Sequence, residues 1–384
     1  MIIFFFLSLI ILYLIFRDSK PLSILFIIYL IIIMGGNSMN CDLQYTIGRQ
    51  SMSTDVYYSL YTDTSFFQRD IGYGILMELF KYIGFTYKYF RLSLSIIEFF
   101  LLYRILRKYS QNIVLYCILY SIYPFCYDVA AQRNTLGMFI WFYAFSILVE
   151  GKSGCILKYI IITIVSATIQ KTFLIYLPLA FMWDKRIALS SVRKLNYRIL
   201  TRNKIKYGIV YLLLFLSFAI GLNRDLFNFV SKEILNSFFK DDERGSILEN
   251  STKIFWIILW AEQLINFLLI KYVGNKLTKD SRQRNLFSFY KSVYVLNIYG
   301  FFFLPIYVMS GIFFRLSKNI IPLNLIVYTN YLYKYPKSPL IIVIITYQLF
   351  LFFLHIYFGG NWLMTLFDPI VENNWILGIG EKAI

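Results

Sequence analysis

The chain has 384 residues, of which 59% are hydrophobic and 20% aromatic, and its mean hydropathy is +0.62. Only 15% of the residues are charged, against about 25% in a typical soluble domain, which argues against a soluble globular protein. The net charge of +17 comes mainly from basic residues at the ends of apolar blocks. Because membrane orientation alone produces that pattern, we predict no nucleic-acid partner.

The apolar residues form blocks of the length that a membrane crossing needs, about 20 residues for one helix. Runs such as 341–358 lack the alternation of apolar and polar residues found in transmembrane β-barrels. We therefore predict an all-α, polytopic integral membrane protein of about 10–12 helices, folded as a single domain over residues 1–384. The predicted spans are 2–16, 22–38, 90–106, 112–127, 135–149, 156–183, 207–223, 253–272, 287–308, 311–333 and 339–358.

The block at 156–183 is too long for one simple crossing, and Gln170 and Lys171 interrupt it near its middle. We predict two short helices that meet at this point. With this break, crossings alternate consistently if the densest basic patches, such as 185–206, are cytoplasmic. The outer side then holds residues 39–89, residues 224–252 and the tail after Phe358.

The outer segments carry charges of both signs, whereas the cytoplasmic patches are basic and nearly free of acidic residues. Mixed charge is what an acid/base site acting on an anionic substrate needs. The alternative is that outer loops are polar only because they are solvated, and residues 224–252 fit a plain linker equally well.

The 71–83 stretch has apolar residues at helical spacing, and Gly84 can end a helix there. This pattern predicts an amphipathic helix that lies on the surface of the membrane, on its outer side. Asp70 precedes the helix, so capping is the alternative to a functional role for this carboxylate.

Three groups of residues carry a resemblance to a known family. They are Arg49, Thr54, Asp55, Tyr57, Tyr58, Tyr61, Asp70 to Tyr73 and Gly84; then Pro124, Asp128 and Arg133; then residues 167–178, with a weaker match at Phe314, Arg315 and Pro322. In this order and spacing they resemble the EpsG-type, Wzy-like family of bacterial exopolysaccharide polymerases. The chain departs from the family at Gln170 and Thr172, where the family usually has His and Ser, and at Asp70, where it usually has Glu.

The resemblance implies a membrane glycosyltransferase on the extracytoplasmic face of the bacterial cytoplasmic membrane. Such polymerases join oligosaccharide repeat units carried on undecaprenyl diphosphate, for capsule, exopolysaccharide or O-antigen synthesis. The implied partners are the lipid-linked oligosaccharide, membrane lipid, a chain-length regulator and a flippase. No cofactor and no metal are expected.

The residue types suit this reaction. A planar guanidinium can bind two oxygens of a diphosphate leaving group, and the candidates are Arg133, Arg315 and Arg49; as an alternative, they are ordinary interfacial arginines. Asp55 is the first candidate for the base that takes the acceptor proton, and Asp128 is the second. Further substrate contacts are predicted for Tyr57, Tyr58, Tyr61, Asp70, Tyr73 and Gln170.

Acidic residues inside spans need a partner or a wet cavity because a central charge costs about 2.5–3.5 kcal/mol on insertion scales. Glu98 and Glu262 are such residues, and each is predicted either to line a substrate groove or to bond another helix. The single histidine, His355, lies in an apolar run and is predicted to be a buried or interfacial residue.

Other membrane proteins of polysaccharide synthesis compete with the polymerase interpretation. A flippase for lipid-linked sugars would share the cationic path, but it should show an internal repeat, which we do not find. A membrane acyltransferase would need a histidine near its first spans. A glycosyltransferase that uses polyprenyl-phosphate sugars is barely separable from a polymerase at this level.

Overall fold

The computed structural model describes residues 2–16, 19–37, 70–182, 212, 255–280, 283–309, 313–358 and 367–380. Every regular element among these residues is a helix, which confirms the all-α class, and strand-like pairing in this part of the chain is limited to isolated bridges from Asn374 to Asn37 and Ile379. The chain divides into two compact units, Met1–Trp183 with Tyr328–Ile384, and Asp184–Val327. The single membrane domain stays a prediction.

The helices follow in chain order. They are α1 (Ile2–Phe16), α2 (Lys20–Gly36), α3 (Ile71–Tyr82), α4 (Tyr87–Tyr109), α5 (Ile113–Ile122), α6 (Phe125–Ala130), α7 (Gln132–Glu150), α8 (Cys155–Ile169), α9 (Leu179–Met182), α10 (Phe255–Asp280), α11 (Arg284–Gly300), α12 (Leu304–Met309), α13 (Phe314–Lys318), α14 (Ile321–Lys334), α15 (Leu340–Phe358) and α16 (Asp368–Glu372). Two 3-10 turns, Lys171–Tyr176 and Phe301–Phe303, follow α8 and α11.

Local sequence explains where several helices begin and end. The hydroxyl of Ser19 accepts a bond from the Leu22 N–H at the start of α2, and the side-chain oxygen of Asn112 does the same for Leu115 at the start of α5. Both residue types are favoured N-caps because they satisfy a backbone donor that the helix leaves unpaired. Gly151 ends α7 in the left-handed conformation, with φ of 64°, which glycine adopts without steric cost.

Helix α7 is the centre of the first unit and packs against both α4 and α8. The 3-10 turn after α8 packs against α7: the ring of Tyr176 stacks on that of Trp141 in α7, with 4.1 Å between centroids. The hydroxyl of Tyr159 on α8 accepts from Nε1 of Trp141 and donates to the carbonyl of Tyr176. These contacts fix the turn that follows Gln170 against the centre of the unit.

Four of the predicted spans are broken in the structure. The 287–308 span contains α11, a 3-10 turn and α12, and the described part of 311–333 contains α13 and α14. The 112–127 span consists of α5 and α6, because Pro124 lacks a backbone donor and interrupts the helix. The break predicted at Gln170 is confirmed, since α8 ends at Ile169 and Gln170 has an extended backbone. The second predicted short helix is instead a 3-10 turn followed by α9, and the predicted span 207–223 lies outside the described residues apart from residue 212.

Within the described ranges, one helix is long and apolar enough to cross a membrane by length and composition, Trp256–Lys279 with a hydropathy of 1.4. Five shorter apolar helices accompany it, at Ile2–Phe16, Lys20–Gly36, Ile113–Ile122, Cys155–Ile169 and Leu340–Ile356. The polytopic arrangement therefore stays a prediction from the sequence.

The end of the chain packs onto the end of α2. The side-chain amide of Asn37 donates to the carbonyls of Pro369 and Asn373, at 3.0 and 3.1 Å, and the backbone N–H of Trp375 donates to the carbonyl of Gly36 at 2.9 Å. A Cβ added at Gly36 would lie only 2.2 Å from the side chain of Asn374. Residues 367–380 are thus held by specific polar contacts at the point where α2 ends.

One charge cluster joins the last turn of α4 to the end of α7. Glu150 forms ion pairs with Lys108 and with Lys152. Burial alone would raise the pKa of the Glu150 carboxyl, but the ammonium groups of Lys108 and Lys152 together outweigh burial and hold this pKa below its usual range.

We expect Glu150 to stabilise the fold above its ordinary pKa of about 4.3, and this contribution to disappear as the pH falls through the lower value of the folded state. The Tm of the detergent-solubilised protein should therefore exceed that of Glu150→Gln at pH 7, and the difference should shrink as the pH falls below about 4.3. A Tm difference that does not change with pH would contradict this assignment.

Candidate functional site

The carboxylate of Asp70 joins three elements of the first unit. Its Oδ2 lies 2.8 Å from Nη1 of Arg133, and its Oδ1 accepts a 3.2 Å hydrogen bond from the backbone N–H of Lys171. Asp70 precedes α3, Arg133 lies in the first turn of α7, and Lys171 begins the 3-10 turn after α8. We refer to Asp70, Arg133, Gln170 and Lys171 as the Asp70 cluster.

Capping does not explain Asp70. It occupies the residue before α3, but its side chain makes no capping hydrogen bond to the first turn of that helix. Its oxygens instead bind residues that follow it by 63 and 101 positions in the chain. The capping alternative for Asp70 is therefore wrong in this structure, and the carboxylate acts as a long-range link.

Two glycines allow the three elements to approach each other this closely. A Cβ at Gly72 would lie 2.3 Å from Oγ1 of Thr168, and one at Gly137 would lie 2.7 Å from Cε2 of Phe173. The hydroxyl of Ser166 also donates to the carbonyl of Gly137 at 2.7 Å. Larger side chains at either glycine would push α3 or the 3-10 turn away from its partner helix and separate the members of the cluster.

The Asp70 cluster contains more positive than negative charge. One carboxylate, 8% exposed, faces the guanidinium of Arg133, which is 29% exposed, while the side chain of Lys171 is exposed. The first turn of α7 adds the partial positive charge of a helix N-terminus. The side chain of Gln170 is 9% exposed, and its Oε1 is buried without a hydrogen-bond partner in the part of the chain that the structure describes. The arrangement suits an anion, with one spare acceptor beside it.

Tyr73, predicted to contact substrate, is 2% exposed and belongs to a core cluster with Met77, Phe90 and Leu136. Its ring packs edge-on against Phe90 with 5.7 Å between centroids. The structure thus places this ring in the packing between α3 and α4, one turn below the Asp70 cluster.

Asp128, the second candidate for the base, is fully buried. Its Oδ2 accepts a 2.6 Å hydrogen bond from the hydroxyl of Tyr120, and its backbone carbonyl accepts from Oγ1 of Thr135 at 3.0 Å. Arg133, five residues later in the chain, instead faces Asp70.

The remaining predicted residues divide into two groups. Arg315 belongs to the second unit, where it is half-buried in the short helix α13. Six residues from the first part of the resemblance lie outside the described residues: Arg49, Thr54, Asp55, Tyr57, Tyr58 and Tyr61.

His355 is 1% exposed and stacks on Tyr123 with 5.1 Å between centroids, which confirms that it is buried. Among the described residues, no group of three or more His, Cys, Asp and Glu side chains could hold a metal ion.

Both span acids are buried, Glu98 fully and Glu262 to 2% exposure. The electrostatic neighbours of Glu98 are Gln132, Arg91 and Asp128. Of these, the sequence analysis did not single out Arg91 or Gln132. A signal was present, because Arg91 and Glu98 are opposite charges seven residues apart within one apolar stretch, on the same face of a helix.

The comparisons with known proteins agree with the motifs. The family model of the EpsG family matches residues 52–366, a range that includes all the described members of the Asp70 cluster. No curated protein and no solved structure matches the chain.

We expect Asp70→Asn to lower stability by about 1–3 kcal/mol, since it removes a charged hydrogen-bond acceptor from a largely buried pair. In detergent this should lower Tm by about 2–6 °C. Asp70→Glu keeps the charge and is the control, with a smaller expected loss. Equal Tm values for Asp70→Asn and the unmodified protein would show that the ion pair does not hold the three elements together.

Proposed function

The chain belongs to the EpsG family, whose members are membrane-associated, glycosyltransferase-like polymerases of exopolysaccharide synthesis, and from this premise we propose a specific reaction. The protein joins oligosaccharide repeat units carried on undecaprenyl diphosphate, at the outer face of the bacterial cytoplasmic membrane. Its product is a capsule, an exopolysaccharide or an O-antigen.

The observation that carries the proposal is the positive Asp70 cluster at the first turn of α7. Arg133 keeps its guanidinium partly exposed while Asp70 holds it from one side at 2.8 Å. An arginine that is anchored in this way has a fixed orientation, and a planar guanidinium is suited to binding phosphate oxygens. Lys171 contributes a second, exposed ammonium group on the adjoining turn.

The proposed reaction requires positive charge beside the leaving diphosphate. The hydroxyl oxygen of the acceptor sugar attacks the anomeric carbon of the donor sugar, and the bond from that carbon to the diphosphate oxygen breaks. The leaving diphosphate takes the bonding electron pair, so negative charge grows on it in the transition state. A fixed cation that is directed at this position lowers the barrier, because its interaction strengthens as the charge develops.

The acceptor proton needs a base, and we assign Asp55, which lies in a polar stretch of the sequence with Tyr57, Tyr58 and Tyr61 that can stack on sugar rings. Asp128 is assigned to the framework, because its carboxylate is buried and bonded to Tyr120. Asp70 is also not the base, since its two oxygens are engaged by Arg133 and Lys171. Gln170 is not the base either, because a neutral amide does not take a proton at neutral pH.

The outer face of α3 supports placement of the cluster at a membrane surface. Ile71, Ile75 and Leu79 recur at four-residue spacing, and each is about half exposed, at 49%, 54% and 50%; the following Ile83 is 60% exposed. The opposite face is packed through Tyr73 and Met77. A helix that leaves an apolar stripe uncovered is suited to lie in the lipid interface, and Asp70 is at its first turn.

The double variant Asp70→Asn with Arg133→Ala tests the proposal without leaving an unpaired buried charge. In the native strain, long glycan chains should disappear, single repeat units should remain, and the amount of membrane-inserted protein should stay normal. We expect the polymerisation rate to fall by a factor of about 10²–10³, which is the usual effect of removing one group that stabilises transition-state charge.

Arg104→Ala is the matched control, since Arg104 is an exposed arginine on α4 that lies over the rings of Phe100 and Tyr143. It should leave chain length unchanged. Normal chain length in the double variant would overturn the assignment of Arg133. Deletion of the whole protein separates the alternative functions: loss of all exported glycan would indicate a flippase, and truncated repeat units would indicate a sugar-adding transferase.

A further inference from the structure

The position of Arg133 depends on a bend in the chain. Helix α6 has six residues, and Ala131, between α6 and α7, lies outside the helical region with φ of −103° and ψ of 53°. A helix this short has little stability of its own, so the direction of the bend must be set by contacts with other elements. Arg133 follows the bend by two residues.

Arg91 on α4 makes two long-range contacts near this bend. Its side chain is buried, with 3% exposure of the residue, and its Nη2 donates to two carbonyl oxygens, that of Met34 near the end of α2 and that of Val129 in α6, both at 3.2 Å. A single guanidinium nitrogen therefore joins the ends of three helices at the bend.

A second contact ties the first turn of α7 to the same stretch of α4. Nε2 of Gln132 donates to the carbonyl of Arg91 at 2.8 Å and to Oγ of Ser95 at 2.9 Å. Arg91 and Ser95 are four residues apart, so both contacts come from one face of α4. Contacts with α4 therefore hold the chain on both sides of Ala131, at Val129 and at Gln132.

The burial of Arg91 is costly, because a guanidinium loses its hydration. Glu98 is an electrostatic neighbour of Arg91 in this buried group, but Nε of Arg91 has no hydrogen-bond partner among the described residues. A buried apolar side chain would fill the space without such a cost, but it would not bond two carbonyls. The arrangement is therefore better suited to fixing a direction than to adding stability.

We propose that Arg91 is a positioning residue: through the carbonyls of Met34 and Val129 it sets the bend at Ala131, and so holds Arg133 beside Asp70 for the reaction. This inference rests on the proposed function for its consequence in catalysis, but its geometric part can be tested without a substrate.

The geometric test uses Asp70→Cys with Arg133→Cys in a background whose four native cysteines are replaced by alanine. A short bis-maleimide should cross-link the pair, which is read as a shift in gel mobility after cleavage of the chain between the two positions. Adding Arg91→Ala should lower the cross-linking rate about fivefold or more, because two hydrogen bonds from a charged donor are lost.

Arg91→Lys should keep the rate within about twofold, since one ammonium nitrogen can replace Nη2 as the donor to both carbonyls. Arg104→Ala, on the same helix, should have no effect. If Arg91→Ala prevents folding, Arg91→Met is used instead, because it fills the space and removes both bonds to the carbonyls without leaving a cavity. An unchanged rate in Arg91→Ala, or in Arg91→Met where that variant is needed, would overturn the proposal.

The functional test measures glycan chain length in the native strain with Arg91→Ala and Arg91→Lys. We expect short chains for the first variant and near-normal chains for the second, at equal protein levels. A lower cross-linking rate together with normal chain length would keep Arg91 as a positioning residue and would instead refute the role of Arg133 in the reaction. Failure of the inference and failure of the proposed function are therefore distinguishable.

Discussion

The ion pair between Asp70 and Arg133 is the interaction on which the described part of the site depends. A carboxylate that is 8% exposed has lost most of its hydration and needs strong partners to offset the cost. Arg133 provides the charge and the N–H of Lys171 provides a second donor. Because these partners come from α7 and from the turn after α8, satisfying one carboxylate also sets the relative positions of three elements.

Two groups of polar residues in the first unit differ in exposure. The Asp70 cluster contains a partly exposed guanidinium and an exposed ammonium group. The second group contains Arg91, Glu98, Asp128 and Gln132, all at most 4% exposed. A carboxylate in the second group cannot meet a sugar hydroxyl without a change of structure, so its members are suited to orienting other residues.

Part of this arrangement could be predicted from the sequence. The bounds of α1, the helix at 71–82 and the break at Gln170 follow from apolar periodicity and its interruption, which are local properties. Pairing is not local: the partners of Asp70 lie 63 and 101 residues away, so capping by its own helix was the nearest local explanation. The role of Arg91 could not be identified from the sequence for the same reason. The role of a buried arginine depends on carbonyl groups that only the folded structure brings close to it. The burial of Asp128 likewise could not be inferred from its position beside a polar bend.

Long-range polar contacts also fix both flanks of the segment 38–69, which carries Asp55. Asn37, just before it, is bonded to carbonyls of residues 369 and 373 near the other end of the chain. Asp70, just after it, is bonded to Arg133 and Lys171. Because the carboxylate of Asp70 also holds Arg133, the residue at which the described chain resumes after Asn37 is fixed by the same ion pair as the Asp70 cluster.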